Sequence, residues 1–188
     1  MKLKEYKLPK ESFIGGWFMP SSICDKLISY YNKSNNVIVG TNASNIVNKK
    51  IKDSSDLVIY RHNQDDEIVQ YQKYLQKVLN LYIKKYPELN LNQRFEFSQA
   101  NIQKYPKKGG FKEWHNERAS MASCKRILVF MTYLNSIQNG GTKFKYQKIT
   151  TPSKKGLTLI WPTDFTHTHK GQIVDKEKMI MTGWFEYI

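Results

Sequence analysis

The chain has 188 residues, 40% hydrophobic and 13% aromatic, enough to bury the core of one domain spanning 1–188. No apolar run approaches the ~20 residues that span a bilayer. Met1–Tyr6 lacks the apolar core of a signal peptide, and Cys24 and Cys124 lie too far apart in sequence to suggest a disulfide framework. The expectation is a protein of the reducing cytoplasm with no membrane partner. The net charge of +14, from 30 Lys+Arg against 16 Asp+Glu, has two readings. One is attraction to a polyanion such as nucleic acid. The other is codon bias, since Lys, Asn, Ile and Tyr are the residues that AT-rich codons encode.

In chain order, Phe13-Ile14-Gly15-Gly16-Trp17-Phe18-Met19 reads as an early strand broken by glycines. Pro20-Ser21-Ser22 opens a helix with a serine N-cap, and Asn35-Asn36 closes it. Ile23, Leu27, Ile28 and Tyr31 form its apolar stripe. Val37–Val39 and Leu57–Tyr60 are short strands, and the polar stretch 41–55, without a period, reads as a loop. A long helix follows over about 65 to 86. Its acidic start (Asp65, Asp66, Glu67) and basic end (Lys84, Lys85) suit the macrodipole, and Pro87 stops it. Ile68, Tyr71, Leu75, Val78, Leu79 and Tyr82 make one face of that helix.

From residue 94 the pattern is β: 94–105, 125–134, 142–147, 156–161 and 178–187, separated by turn-rich sequence such as Pro106–Gly110 and Asn139-Gly140-Gly141. Short antiparallel strands at this rhythm, after two helices, predict a mainly β (α+β) fold. Its core is a jelly roll, with the N-terminal helices packed on one sheet. Residues 1–93 are then helical support and first strands, and 94–188 the jelly-roll core.

The chemistry concentrates in Trp114-His115-Asn116-Glu117 and Thr166-His167-Thr168-His169. Residues i and i+2 of an extended segment point the same way, so His115 and Glu117 can hold one metal from one strand end. A further histidine completes a 2-His-1-carboxylate facial triad, the arrangement that leaves open positions on Fe(II). His167 and His169, read as sharing one face of a strand, are both candidates for that place. A solvated His and Glu at a strand end is the bland alternative. Two of the four histidines in one segment, and a third in His-x-Glu, weigh against it.

Alternation along the last strand puts Lys178, Ile180, Thr182 and Trp184 on one face and Met179, Met181 and Gly183 on the other. A lysine on an otherwise apolar face calls for an anionic partner unless it reaches water at the sheet edge. Trp114, Trp161 and Trp184 are candidate walls of the site. Asn116, Arg118 and the loop 41–55 are candidates for its entrance. Tyr105 and Tyr133 each end a β run beside a turn.

Taken together, residues 95 to 187 resemble the Fe(II)/2-oxoglutarate-dependent oxygenases of the prolyl-4-hydroxylase-like group, especially its short stand-alone phage and bacterial members. The family order is Tyr, His-x-Asp, Tyr-Leu-Asn, Gly-Gly-x-x-x-Phe, a distal His, then Arg or Lys. The same order here reads Tyr105, His115-x-Glu117, Tyr133-Leu134-Asn135, Gly140-Gly141-Thr142-Lys143-Phe144 (two residues rather than three before the Phe), His169 and Lys178. Residues 12–90 resemble the family's helical support only loosely.

The resemblance implies a double-stranded β-helix that uses Fe(II), 2-oxoglutarate and O₂ to hydroxylate a C–H bond. A prolyl or other protein side chain is the favoured substrate, and 2-oxoglutarate is decarboxylated to succinate. It implies His115, Glu117 and His169 as metal ligands, because the family gap to Lys178 fits His169 and is too long from His167. Lys178 would take the distal 2-oxoglutarate carboxylate, with Tyr105, Tyr133, Thr182 and Trp184 as further cosubstrate contacts. Glu117 departs from the usual Asp, and its extra methylene requires the backbone to sit further back. For a phage member the compartment would be the host cytoplasm. The competing reading is a non-enzymatic basic jelly roll that binds nucleic acid or another polyanion.

Overall fold

Strand alternation sorts the apolar residues of this chain into two separate cores, one on each face of a single large sheet. The computed structural model describes residues 2–41, 46–90 and 94–188. In chain order its elements are β1 (Lys4–Glu5), β2 (Gly15–Phe18), α1 (Ser21–Lys33), β3 (Ile38–Val39), β4 (Lys52–Asp53), β5 (Ser55–Tyr60) and α2 (Asp66–Lys85). Then come β6 (Phe95–Tyr105), β7 (Gly110–Phe111), β8 (Arg126–Tyr133), β9 (Ile137–Phe144), β10 (Ile149–Ser153), β11 (Leu157–Pro162), β12 (His169–Gly171) and β13 (Lys178–Tyr187). Every pairing is antiparallel: an eight-stranded sheet β1-β2-β11-β8-β13-β6-β5-β3, a three-stranded sheet β10-β9-β12, and the pair β4-β7. Two sheets face to face with helices behind the larger one make the jelly-roll architecture expected from the strand rhythm.

Leu57 and Ile59 (β5), Leu128 and Phe130 (β8), and Met179, Met181 and Phe185 (β13) turn toward the helices and meet the buried stripe of α2. Each fully buried large side chain in that layer contributes about 1.5–3 kcal/mol relative to exposure. The polar Thr132 falls on the same face, and its hydroxyl bonds Tyr71 of α2 (3.0 Å) and Thr158 (2.9 Å), so no buried polar atom there is stranded. The opposite face carries Val129, Met131, Tyr133, Leu159, Trp161 and Ile180, closed from across the gap by Phe144 of the small sheet. This second core is incomplete toward one end, and the opening is the site.

Several sequence expectations shift. Ser21 is the first helical residue and Pro20 the N-cap, with no side-chain cap bond; proline's fixed φ already suits the helix entry. α1 ends at Lys33, before Asn35. Asp65 is the N-cap of α2, but its carboxylate accepts from Tyr30 (2.6 Å) and Asn63 (3.1 Å) rather than capping. Asn139-Gly140-Gly141, expected as a turn, lies inside β9, and β10 was not anticipated. Gly141 is needed there for close approach, since a Cβ would collide with the Thr151 carbonyl of β10. Within 41–55, residues 42–45 lie outside the described residues, while Lys52–Asp53 form β4 and Ser55 begins β5. Among the described residues no helix is long and apolar enough to cross a membrane.

Candidate active site

A single antiparallel bridge joins His115 and His169, each donating its N–H to the other's carbonyl at 3.0 and 2.9 Å. This places two imidazoles from distant segments side by side. Glu117 follows two residues on, its N–H held by Thr163 O at 3.0 Å. Each ring is oriented through Nδ1, which donates to a carbonyl: His115 to Glu113 O (3.0 Å) and His169 to His167 O (2.9 Å). A carbonyl can only accept, so in both rings Nδ1 carries a proton and Nε2 is the atom turned toward Glu117. Those Nε2 atoms stand 3.4 and 3.6 Å from Glu117 Oε1, and the three donor atoms all lie within 4.8 Å of one another.

Burial by itself would raise the Glu117 carboxyl, but hydrogen bonding to His115 and His169 and their charge hold it well below the usual carboxylate range. Burial, aided by His115, pushes His169 down. A bound metal requires the carboxylate ionised and would take the place of any proton on the two Nε2 atoms. Two nitrogens and one oxygen, with no thiolate nearby, suit a borderline divalent metal that keeps open positions.

His167 is not part of this cluster. The structure corrects the expectation that it shares a strand face with His169: His167 ends the 3-10 turn Phe165–His167, and β12 begins only at His169. Its Nε2 meets Ser12 O and its Nδ1 meets Thr166 Oγ1, both at 3.0 Å, so it serves as packing.

Tyr105, His115, Glu117, Tyr133, His169, Lys178, Thr182 and Trp184 all line one cavity of about 540 Å³. The face predicted for Lys178, Ile180, Thr182 and Trp184 is therefore the cavity face. Lys178 is 4% exposed, yet its Nζ donates only to the carbonyls of Gly140 and Gln172, each at 3.1 Å. No carboxylate pairs with it among the described residues, and burial pushes its pKa down to about 8. A buried cation lacking a counter-charge is what an incoming dicarboxylate would satisfy. Asn135 sets its position: Oδ1 accepts Met179 N–H at 3.0 Å and Nδ2 donates to Glu177 O at 3.1 Å, gripping the backbone on both sides of Lys178.

The other predicted contacts already have partners within the chain. Tyr105 donates to Gln103 Oε1 at 2.5 Å. Tyr133 meets the hydroxyls of Thr142 (2.7 Å) and Thr151 (3.1 Å). Thr182 donates to Phe130 O at 2.9 Å. Trp184 reaches the metal cluster through Glu117: its Nε1 donates to Oε2 at 3.0 Å, which leaves Oε1 facing the histidines. Arg126 lies 3.5 Å over the Trp184 ring and donates to Glu117 O at 3.1 Å. Trp161 is also a wall residue, and its Nε1 and Asn116 Oδ1 are buried there without partners among the described residues. Trp114 is not a wall: it is exposed, with Lys170 over its ring at 4.8 Å. Asn116 and Thr41 do border the cavity, whereas Arg118 is occupied by Asp164 through two nitrogens at 2.9 and 2.6 Å.

One polar group escaped the sequence reading. Lys52 and Asp56, both under 8% exposed, pair at 2.5 Å in the cavity wall. Ser54 and Gln103 also donate to Asp56, at 2.7 and 3.3 Å, and Gln103 carries the chain of bonds on to Tyr105. The available signal was alternation: Leu57 and Ile59 face the helices, so Asp56 had to face the other way.

The profile of the 2OG-Fe(II) oxygenase superfamily matches residues 100–186, the segment that carries every residue of the cluster and Lys178. No curated protein matches the chain by sequence. Among solved structures, a Pseudomonas putida prolyl-4-hydroxylase superposes with a TM-score of 0.71 at 16% identity, covering 93% of this chain and 92% of that one. The viral collagen prolyl hydroxylase of Paramecium bursaria Chlorella virus-1, in its 2-oxoglutarate complex, gives 0.71 at 17% identity, over 94% and 97%. A Trichoplax adhaerens prolyl hydroxylase in complex with a hypoxia-inducible factor oxygen degradation domain peptide gives 0.75 at 16% identity, over 93% and 84%. At such identities these likenesses establish the double-stranded β-helix fold.

Proposed function

We propose that this chain is an Fe(II)- and 2-oxoglutarate-dependent oxygenase of the prolyl-4-hydroxylase-like kind, and a hydroxylase of protein side chains, prolyl foremost. The observation that carries this reading is the pairing, in one cavity, of a two-histidine, one-carboxylate cluster with the uncompensated cation Lys178. When bound, iron with 2-oxoglutarate and O₂ supplies the oxidant that turns C–H into C–OH, with succinate and CO₂ released.

His115 Nε2, Glu117 Oε1 and His169 Nε2 would hold the iron on one face. Lys178 would neutralise the distal carboxylate of 2-oxoglutarate, with Tyr133 able to turn its hydroxyl toward that carboxylate because Thr142 or Thr151 can act as donor in its place. Tyr105 can offer its proton to the cosubstrate only by releasing Gln103. The apolar wall of Met131, Ile180 and Trp161 limits the water that reaches the reacting C–H bond. A peptide substrate is favoured by the Trichoplax relative with its bound peptide and by the fold shared with the Pseudomonas and viral prolyl hydroxylases.

Trp184 acts as a positioning residue in this scheme. Trp184→Phe keeps the ring under Arg126 but removes the N–H that holds Glu117 Oε2, and is expected to weaken Fe(II) binding about tenfold. The loss should be visible in an anaerobic metal titration, with the unfolding temperature little changed.

The reading is tested by incubating the protein with Fe(II), 2-oxoglutarate and a proline-containing peptide library, and measuring succinate. The expected result is peptide-dependent succinate, with the stimulating peptides gaining one oxygen at proline. Succinate formed equally with Pro→Ala peptides would overturn the prolyl assignment. A pattern in which free amino acids or nucleosides stimulate and peptides do not would overturn the protein-substrate class.

A further inference from the structure

The positive charge of this chain is unevenly laid out. From Arg118 to Thr163 there is no Asp or Glu, although this stretch supplies β8 to β11. On the small sheet, strand register gathers its basic side chains on the outer surface. His169 and Phe144 are paired and face inward, so the next rung, Lys170 opposite Lys143 opposite Thr150, faces outward. The His115–His169 bridge extends that rung by one residue and brings Trp114 alongside, with Lys170 Nζ at 4.8 Å from its ring centre. Further along, Lys145 donates its N–H to Thr168 O and holds its own Nζ 5.6 Å from the Tyr146 ring. Trp114, Lys143, Lys145 and Tyr146 are exposed and Lys170 half-buried.

Like charges directly opposite one another destabilise a sheet, and here Lys143 faces Lys170 with no acid between them. The lysines that form ion pairs are Lys52, Lys85, Lys104, Lys107 and Lys155; among the described residues Lys143, Lys145 and Lys170 have no such partner. Trp114 on this face sits against Lys170, and Tyr146, in the turn that follows β9, sits beside Lys145.

We infer that the outer face of the small sheet docks single-stranded nucleic acid, with Lys143, Lys145 and Lys170 on phosphates and Trp114 and Tyr146 as stacking platforms. Lysines alone would serve an acidic protein equally well. Exposed aromatic faces beside them favour unpaired bases, whose π-faces are free to stack in any sequence. A duplex hides those faces and would leave Trp114 and Tyr146 without a role. The surface lies on the reverse of the rung that holds His169, so a docked strand tethers the enzyme without entering the cavity. The inference therefore stands or falls separately from the proposed substrate.

The test is fluorescence anisotropy with a labelled oligothymidylate across a salt series. Wild-type binding should weaken steeply with salt. Lys143→Ala/Lys145→Ala should weaken binding about tenfold or more and flatten the slope of log K against log salt by about 1.4, at ~0.7 per phosphate contact. Trp114→Ala should weaken it about tenfold with the slope unchanged. Lys73→Ala/Lys77→Ala on α2 removes the same charge from two exposed positions elsewhere and should change little. On the unmodified protein, amine acetylation read by mass spectrometry should show Lys143, Lys145 and Lys170 protected by the oligonucleotide and Lys73 not. Equal effects of the two double variants, or uniform protection, would overturn the site. Polyglutamate binding as tightly as the oligonucleotide, with Trp114→Ala neutral, would overturn nucleic acid in favour of an acidic protein.

Discussion

His169→Ala is expected to abolish turnover and to weaken Fe(II) binding by more than about 100-fold, beyond the cost of losing an outer partner of a metal ligand. His115→Ala should behave alike, because the two Nε2 atoms flank Glu117 Oε1 at 3.4 and 3.6 Å and neither has a substitute nearby. His167→Ala should give the opposite pattern. It leaves Ser12 O buried without its partner, costing about 1–3 kcal/mol of stability, but it should leave metal binding intact. The measurement is an anaerobic titration with Fe(II) and 2-oxoglutarate, followed by the weak visible absorption of the chelate, alongside thermal unfolding. Loss of the absorption in His167→Ala with its retention in His169→Ala would reverse the ligand assignment.

Lys178→Met is expected to raise the KM for 2-oxoglutarate about 100-fold, corresponding to about 3 kcal/mol for removing one member of a buried hydrogen-bonded charge pair. Methionine keeps the length and apolar stem, so iron binding without cosubstrate should be nearly unchanged. The same lysine predicts a pH dependence. Burial lowers its pKa to about 8 in the empty site, so below that pH it is already charged. The carboxylate of 2-oxoglutarate favours the charged form and raises the pKa on binding. Above pH 8 the site must then take up a proton as it binds, and affinity should fall about tenfold per pH unit. Cosubstrate affinity measured from pH 7 to 9 should show this decline in wild-type protein and none in Lys178→Met. A flat wild-type profile would mean that Lys178 does not carry the contact.

Glu117 stands where the resemblance to these oxygenases puts the shorter Asp, and the fold holds the longer side chain in place. Its second oxygen is held by the Trp184 indole, and Trp184 is in turn covered by Arg126. Without that hold, a carboxylate with one more rotatable bond would sample several orientations, and a metal would have to restrict it on binding. The rigidity comes from a residue on β13, sixty-seven positions away in the chain.

Much of this protein is written locally. The stripe of α2, the alternation of β13 and the spacing from Tyr105 to Lys178 each follow from periods or gaps within one segment. They led to the architecture, the cofactors and the cavity-facing residues. Gly140-Gly141 was misread because glycine marks both turns and close approaches. Only the neighbouring β10, which passes against Gly141, shows that this is an approach. The choice between His167 and His169 depends on one backbone bridge to His115, a contact between segments that no local period encodes. The same holds for Asp56, buried where β5 pairs with β6, for Lys52, on β4 where it pairs with β7, and for Trp114, turned outward by the rung that turns His115 inward. Sequence alone determines which way each side chain alternates along its own strand, because the period is a property of the backbone. Tertiary structure decides which strand lies opposite, and so which of the outward-turned groups meet a partner and which meet water.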